Sequence, residues 1–449
     1  MTRTRSSRVS GTVPPMRVRM ARLSPMALPP FAAIVLVCSA TAQGGAAPSS
    51  ETLGGRTMGT TWTATWHGSR GNTDEVPASV VADELPRLLD RVDRMMSTWR
   101  DDSEISRFNS ASSTDWFAVS HDTMRVLRRA LEIAAQSGGA FDVTVSPLVG
   151  LWGFGVDGQR PAPDEQQVAA AIRRVGWQKL EVRTDPPSVR KSEPEVTVDL
   201  SAIAKGYAVD LLGIYLDSIA VDGYLVEVGG ETRVQGARAD GSPWRIGIEQ
   251  PLAGQRVVRR VLTVSGDTRS IATSGDYRNR RNVGGRVLSH TIDPRTGHPV
   301  EHSLAAVTVV AEDCMTADAL ATTLMVLGPV DGLAHARRHG VAALLLTRTG
   351  TTINEQATEE FSALFGEVGG GWWNTWVPVL GLVVLAVCGL SAGVLLKGRG
   401  LVGSCGGLAL MCDRREDPHC GACGVRGEDV AVANGDEQNV EPSHSGYAE

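Results

Sequence analysis

Cysteine is missing from most of this chain. Of seven in 449 residues, only Cys314 lies between Cys38 and Cys388, so no disulfide framework can hold the bulk of the protein together. Aromatic residues make up 5% of the sequence and are nowhere threaded through a basic stripe, and the net charge is −6. That pattern excludes a nucleic-acid partner of the usual electrostatic kind. No internal repeat is present, which excludes a solenoid. Acidic residues are absent before Glu51, whereas six arginines (Arg3, Arg5, Arg8, Arg17, Arg19, Arg22) precede it. The length exceeds what one core organises, so more than one unit is expected.

The arginine-rich start runs into an apolar stretch, Met26 to Val37, and then into Ala40-Thr41-Ala42. A basic n-region, a short apolar h-region and an A-x-A site describe a secretory signal peptide over residues 1–42, with Met16, Met20 and Met26 as alternative starts. Cys38 is a lipidation candidate, although Val37 is bulky for the preceding position. Near the other end, Val377 to Leu396 carries no charge, Trp372, Trp373 and Trp376 precede it, and Lys397 and Arg399 follow. An uncharged stretch of that length, an aromatic belt and a basic flank predict a transmembrane helix over 375–397 with its C-terminal side cytoplasmic. The domain between the two segments is then periplasmic, anchored by one helix in a bacterial inner membrane. The expected organisation is linker 43–55, domain 56–353, linker 354–374, the span, a Cys-rich segment 398–424 and a disordered tail 425–449.

Within the domain, alternation predicts a strand from Thr57 to Trp66. Helical periodicity appears at Val80–Met96, at His121–Ser137 (stopped by Gly138-Gly139) and at Asp164–Val175. A strand at Val196–Leu200, a helix from Ala204 to Ile219 and a strand at Tyr224–Val228 follow. Trp244–Ile248 and Val258–Val264 read as paired strands, and Ala305–Val310 is an apolar, β-branched run. Helices at Thr316–Leu327 and Val330–Arg338 precede a last strand, Val341–Thr347. Strands and helices mix without a βαβ rhythm, so the fold class is α+β.

Four stretches carry the chemistry. In Val198-Asp199-Leu200-Ser201-Ala202-Ile203-Ala204-Lys205-Gly206-Tyr207 a turn of small residues puts a lysine in the first turn of a helix, where anions are attracted; an ordinary turn reads the same way. In Ala317-Asp318-Ala319-Leu320-Ala321-Thr322-Thr323, Asp318 and Thr322 share a helix face and suit a hard cation such as Mg²⁺. A carboxylate answering a helix dipole is the plainer alternative. Ser289-His290-Thr291-Ile292-Asp293-Pro294-Arg295-Thr296-Gly297 offers His290 as a general base or as a structural histidine. Gly138-Gly139-Ala140-Phe141-Asp142-Val143-Thr144 with Leu151-Trp152-Gly153-Phe154-Gly155 makes either a slot for a planar ring or a packed loop.

In content and order these stretches resemble the ApbE family, the FAD:protein FMN transferases. Thr57-Met58-Gly59-Thr60-Thr61-Trp62, Met96-Ser97-Thr98-Trp99, Ser103-Glu104-Ile105-Ser106-Arg107-Phe108-Asn109, Val228-Gly229-Gly230-Glu231 and Ala272-Thr273-Ser274-Gly275-Asp276-Tyr277 extend the resemblance over residues 55 to 350. It implies an ApbE-like domain that moves FMN from FAD to a Ser or Thr hydroxyl of an acceptor protein, releasing AMP. FAD would be contacted by Met58, Trp99 (where the family more often has Tyr), Ala140, Phe141, Asp142, Asp199, Lys205 and Ile292. Mg²⁺ would be held by the Ala202 carbonyl, Asp318, the Ala321 region and Thr322. Catalysis would fall to Asp318, Lys205 and, as base, His290. An FAD pyrophosphatase, an FAD carrier and an assembly scaffold are the competing readings.

The tail, Gly403-Ser404-Cys405-Gly406-Gly407-Leu408, Cys412 and Cys420-Gly421-Ala422-Cys423-Gly424, resembles NqrM, a maturation factor of the Na⁺-translocating NADH:quinone oxidoreductase. That resemblance implies Cys405, Cys412, Cys420 and Cys423 as iron ligands on the cytoplasmic side, and acceptor flavoprotein subunits of a membrane redox complex as partners.

Overall fold

The computed structural model describes residues 50–68, 77–155, 158, 160–252, 256–277, 280–283, 286–367 and 380–388. The first elements are β1 (Ser50–Thr57) and β2 (Thr60–His67), a hairpin turned by Met58 and Gly59. Then come α1 (Ala78–Met96), α2 (Glu104–Ser110), the two-residue β3 (Phe117–Ala118) and α3 (His121–Gln136). Two short helices, α4 (Ser146–Leu151) and α5 (Glu165–Ile172), lead to a hairpin of β4 (Leu180–Thr184) and β5 (Pro187–Lys191). After α6 (Ala204–Ser218) the chain forms β6 (Gly223–Val228), β7 (Glu231–Gln235), the hairpin β8 (Trp244–Glu249) and β9 (Val258–Val264), and β10 (Arg269–Gly275). A further hairpin, β11 (Arg280–Val283) with β12 (Arg286–Ser289), precedes β13 (Leu304–Ala311), α7 (Cys314–Arg338), β14 (Ala342–Thr349), β15 (Thr352–Ala357) and α8 (Glu359–Phe365).

Eight strands join in the order β1-β2-β6-β7-β10-β13-β14-β15, every neighbouring pair antiparallel. This is the expected α+β architecture. The apolar runs of β13 and β14 are explained by burial on both faces. Val307, Val309, Ala343 and Leu345 join a core with α1, α6 and α7, while Ala306, Val310, Leu344 and Leu346 pack with the β8–β9 hairpin and α8. A strand covered on both sides loses its alternation and reads as continuously hydrophobic.

Helices α6 and α7 approach backbone to backbone. A Cβ built on Gly206 would lie 2.3 Å from the Cys314 carbonyl oxygen, so only glycine fits the contact. Gly206→Ala should cost about 2–3 kcal/mol through overpacking, read as a lower midpoint of denaturant unfolding at unchanged slope.

Several expectations shift. Residues 50–55, read as linker, are most of β1, because their Gly- and Ser-rich sequence gains its backbone partners from β2. Residues 354–365, also read as linker, hold the end of β15 and all of α8, whose Phe361 is fully buried. The domain therefore extends past both expected ends. Val196–Leu200 is extended but no strand. Val196, Val198 and Leu200 are buried, yet the backbone of Val198 is held at both N–H and C=O by the Asn109 side chain, and the Asp199 N–H donates to the Val143 carbonyl. The two helices expected between 316 and 338 form α7 with a break at Gly328, where φ is 80° ahead of Pro329.

Helix α7 is also long and apolar enough to cross a membrane, but most of it is buried in the core. Of the expected span, residues 380–388 are helical, with Leu380, Leu382, Val383, Val384, Leu385 and Val387 exposed. The signal segment, the rest of the span, Cys405, Cys412, Cys420, Cys423 and the tail lie outside the described residues.

Candidate active site

A cleft of about 1890 Å³ gathers residues from β2, α4, α5, α6, α7, β7, β8, β10 and the loops between them. Met58, Trp99, Ala140, Phe141, Asp142, Asp199, Ala202, Lys205, His290, Ile292, Asp318 and Thr322 all line it. Ala321 does not. It is fully buried in the main core, on the side of α7 turned from the opening.

Each lining residue is placed by local geometry. Met58 has φ 45° and Gly59 φ 72°, the two left-handed residues of a primed turn. Methionine there is strained, and strain of this kind concentrates at functional positions. Trp99 is 72% exposed, an indole face left bare at the rim. Gly138 and Gly139, at φ 60° and 81°, turn the chain out of α3 into the Ala140–Asp142 loop. The Asp142 carboxylate is already occupied: it accepts from the Thr144 N–H at 2.8 Å, the Thr144 hydroxyl at 2.6 Å and the Trp177 N–H at 2.8 Å. It shapes the loop, and burial raises its pKa above the ordinary carboxylate range. Asp199 accepts from the Ser201 N–H at 2.9 Å, which closes the turn entering α6. His290 lies edge-on to Phe154, with ring centroids 6.4 Å apart.

The centre is ionic. Lys205 Nζ donates to Glu231 Oε1 at 2.8 Å and to Asp318 Oδ2 at 3.3 Å, and the Gly206 N–H donates to the same Asp318 oxygen at 3.1 Å. Burial disfavours charge on Lys205, but Asp318 and Glu231 outweigh it and hold the ammonium above its usual value. Asp318 is pushed up to about 6, chiefly by burial and against the pull of Lys205, with Glu231 adding to the rise. Two buried carboxylates thus share one cation, and the buried Glu231 Oε2 has no hydrogen-bond partner among the described residues. Beside them the Thr322 and Ser274 hydroxyls are 3.2 Å apart.

No group of three or more His, Cys, Asp or Glu stands ready to hold a metal among the described residues. The set here is carboxylates, hydroxyls and backbone carbonyl, all oxygen, with a surplus of negative charge. That composition fits a hard divalent cation that keeps several waters. Sequence reasoning gave Lys205, Asp318 and Thr322 but assigned no role to Glu231 or Ser274. Both sit in stretches that carried the family resemblance, and the Gly229-Gly230 turn ahead of Glu231 was the available signal.

Comparison with known proteins gives the family. The profile of the ApbE family matches residues 58–345. The chain is 42% identical over 311 residues to the FAD:protein FMN transferase of Vibrio cholerae serotype O1, covering 69% of this chain and 91% of that protein. It is 37% identical over 315 residues to the FAD:protein FMN transferase of Escherichia coli strain K12, covering 69% and 88%. Among solved structures, the flavin transferase ApbE from Vibrio cholerae superposes with a TM-score of 0.64 at 40% identity, over 71% of this chain and all of that one. The apo flavinyl transferase ApbE of Pseudomonas stutzeri gives 0.64 at 38%, over 71% and 98%.

Proposed function

The chain belongs to the ApbE family and is an FAD:protein FMN transferase, and we propose that it modifies a Ser or Thr hydroxyl of flavoprotein subunits in a membrane redox complex. The observation that carries the chemistry is the convergence of Lys205, Glu231, Asp318 and Thr322 in one cleft with the other seven residues expected at the flavin. Trp99, Met58 and Phe141 bind and orient FAD, and Lys205, in the first turn of α6, holds Glu231 and Asp318 together beside its phosphates. The acceptor oxygen forms a bond to the FMN phosphorus while the pyrophosphate bridge breaks and AMP leaves. His290, on the cleft wall, takes the hydroxyl proton. Asp318, Thr322 and the Ala202 carbonyl would hold Mg²⁺, with Glu231 supplying further negative charge. When bound, the ion neutralises the pyrophosphate and stabilises the AMP leaving group.

Export and anchoring rest on sequence: the arginine-rich start, the charge-free segment and its basic flank put the cleft on the periplasmic side of a bacterial inner membrane. The cysteine-rich tail, by its likeness to NqrM, supplies iron to the same complex from the cytoplasmic side. The acceptor is then part of a Na⁺-translocating NADH:quinone oxidoreductase.

The test uses the purified protein with FAD, Mg²⁺ and a flavin-carrying subunit of such a complex. Intact mass should show one FMN added, lost with a chelator. FAD split to free FMN and AMP without labelling would favour an FAD pyrophosphatase, and unchanged bound FAD would favour a carrier.

Two further outcomes follow from the site. Trp99→Ala removes an exposed aromatic platform worth about 1 kcal/mol, so FAD binding should weaken roughly 5–10-fold, measured by quenching of flavin fluorescence. Because burial raises Asp318 to about 6, and only its ionised form holds a cation, transfer should fall as pH drops through that region rather than near 4. A log kcat/KM profile from about pH 5 to 8 at subsaturating Mg²⁺, which reads the enzyme before it is loaded, checks this.

A further inference from the structure

Residues 196–200 run extended along the wall of the cleft with no strand beside them among the described residues. Their side chains alternate. Val196, Val198 and Leu200 are buried in the core, whereas Thr197, Asp199 and then Ser201 line the cleft. In an extended chain a slip of one residue exchanges those two sets. A sheet ladder ordinarily prevents the slip. In this stretch side chains take over that task, and Asp199, expected at the flavin, depends on them.

Asn109 grips the middle: its side chain accepts from the Val198 N–H at 2.7 Å and donates to the Val198 carbonyl at 2.8 Å. Behind it lies Lys191, a residue with no part in the transfer chemistry and only 1% exposed. Its Nζ donates to the carbonyls of Phe108 at 3.2 Å, Asn109 at 3.4 Å and Val196 at 3.3 Å, and it stands 5.1 Å from the Phe108 ring centroid. One ammonium therefore ties the end of α2, which carries Asn109, to the first residue of the stretch that Asn109 holds. An ammonium is costly to bury, and burial pulls Lys191 below the ordinary lysine range with Glu195 opposing. Three N–H donors and no acceptor are what three converging carbonyls require. Resting on the transferase reading, in which Asp199 meets FAD, we propose that Lys191 is a positioning residue for the flavin nucleotide. It fixes the register of residues 196–200 and so sets Asp199 in the cleft.

The experiment titrates FAD into the full chain, read by flavin fluorescence well below the unfolding temperature. Lys191→Met keeps an unbranched stem and removes the donors. It should weaken FAD binding at least about tenfold, since a binding group displaced by about 1 Å is felt on that scale or above. KM for FAD should rise while kcat at saturating FAD stays within about threefold. In a chain that already carries Asp199→Ala, the same substitution should change FAD affinity by less than about twofold, because residues that act through one contact do not add. A lower melting temperature with unchanged FAD affinity would make Lys191 a stabilising residue only and overturn the proposal. Full additivity with Asp199→Ala would overturn it as well. Asn109→Ala, at a half-buried position on the same stretch, keeps the test open should Lys191→Met not fold. It too is expected to weaken FAD binding and to lose that effect in the Asp199→Ala chain, and the proposal fails if it does not. Failure of the wild-type chain to bind FAD would instead remove the transferase reading beneath it.

Discussion

Asp318→Asn is expected to lower FMN transfer by about a thousandfold or more, the scale on which single groups that stabilise transition-state charge act, while the chain stays folded. Asparagine has the same shape, and its carbonyl oxygen can still accept from the Gly206 N–H that now bonds Asp318 at 3.1 Å. What changes is charge. Lys205 at present faces both Asp318 and Glu231, a net negative centre that attracts a cation. With Asp318 neutral, Lys205 and Glu231 balance, and the attraction is gone. The divalent-ion requirement should fade along with the activity, whereas FAD affinity, set by Trp99, Met58 and the Ala140–Asp142 loop, should stay within a few fold. Intact mass of the acceptor, flavin fluorescence and a melting curve separate these terms. Transfer within tenfold of wild type would remove Asp318 from the chemistry.

What could be read from the sequence was whatever short-range pattern dictates. The helices α1 and α3 show their periods and stops, α7 shows its break before Pro329, and the β8–β9 pair shows its alternation. Lys205 and Asp318 could be picked because each stands beside small residues at a helix start or on a helix face, and family resemblance joined them. Their 3.3 Å contact spans 113 positions and depends on α6 packing against α7, which no local pattern reports. Val196–Leu200 misled because alternation records burial, and burial here is matched by the Asn109 side chain instead of a ladder. The mixed polar sequence of 354–365 hid β15 and α8, since an edge strand and a short helix need only one buried face. Ala321 was carried along by its neighbours, yet its position on α7 turns it into the core.

Asp210→Ala tests what holds the two halves of that ionic centre in register. Asp210 is buried in α6, and its carboxylate accepts from the N–H groups of Cys314 and Met315, each at 2.8 Å, at the start of α7. It also pairs with Arg233 of β7 at 3.0 Å. Those amides belong to the unsatisfied first turn of a helix, so one side chain joins α6, α7 and the sheet. Alanine would strand two buried donors and leave Arg233, only 12% exposed, with Asp217 as its one carboxylate partner, a loss of about 3–5 kcal/mol that comes mostly from the unsatisfied amides. In a domain of this size that lowers Tm by roughly 8–15 °C. Asp210→Asn, which keeps one acceptor oxygen, should lose less. Because Gly206 and Lys205 stand one turn before Asp210, and Asp318 one turn after Met315, the same substitution should also cut transfer at temperatures where the protein is still folded. A fall in Tm with unchanged kcat would mean that the Lys205–Asp318 contact is set by Gly206 packing alone.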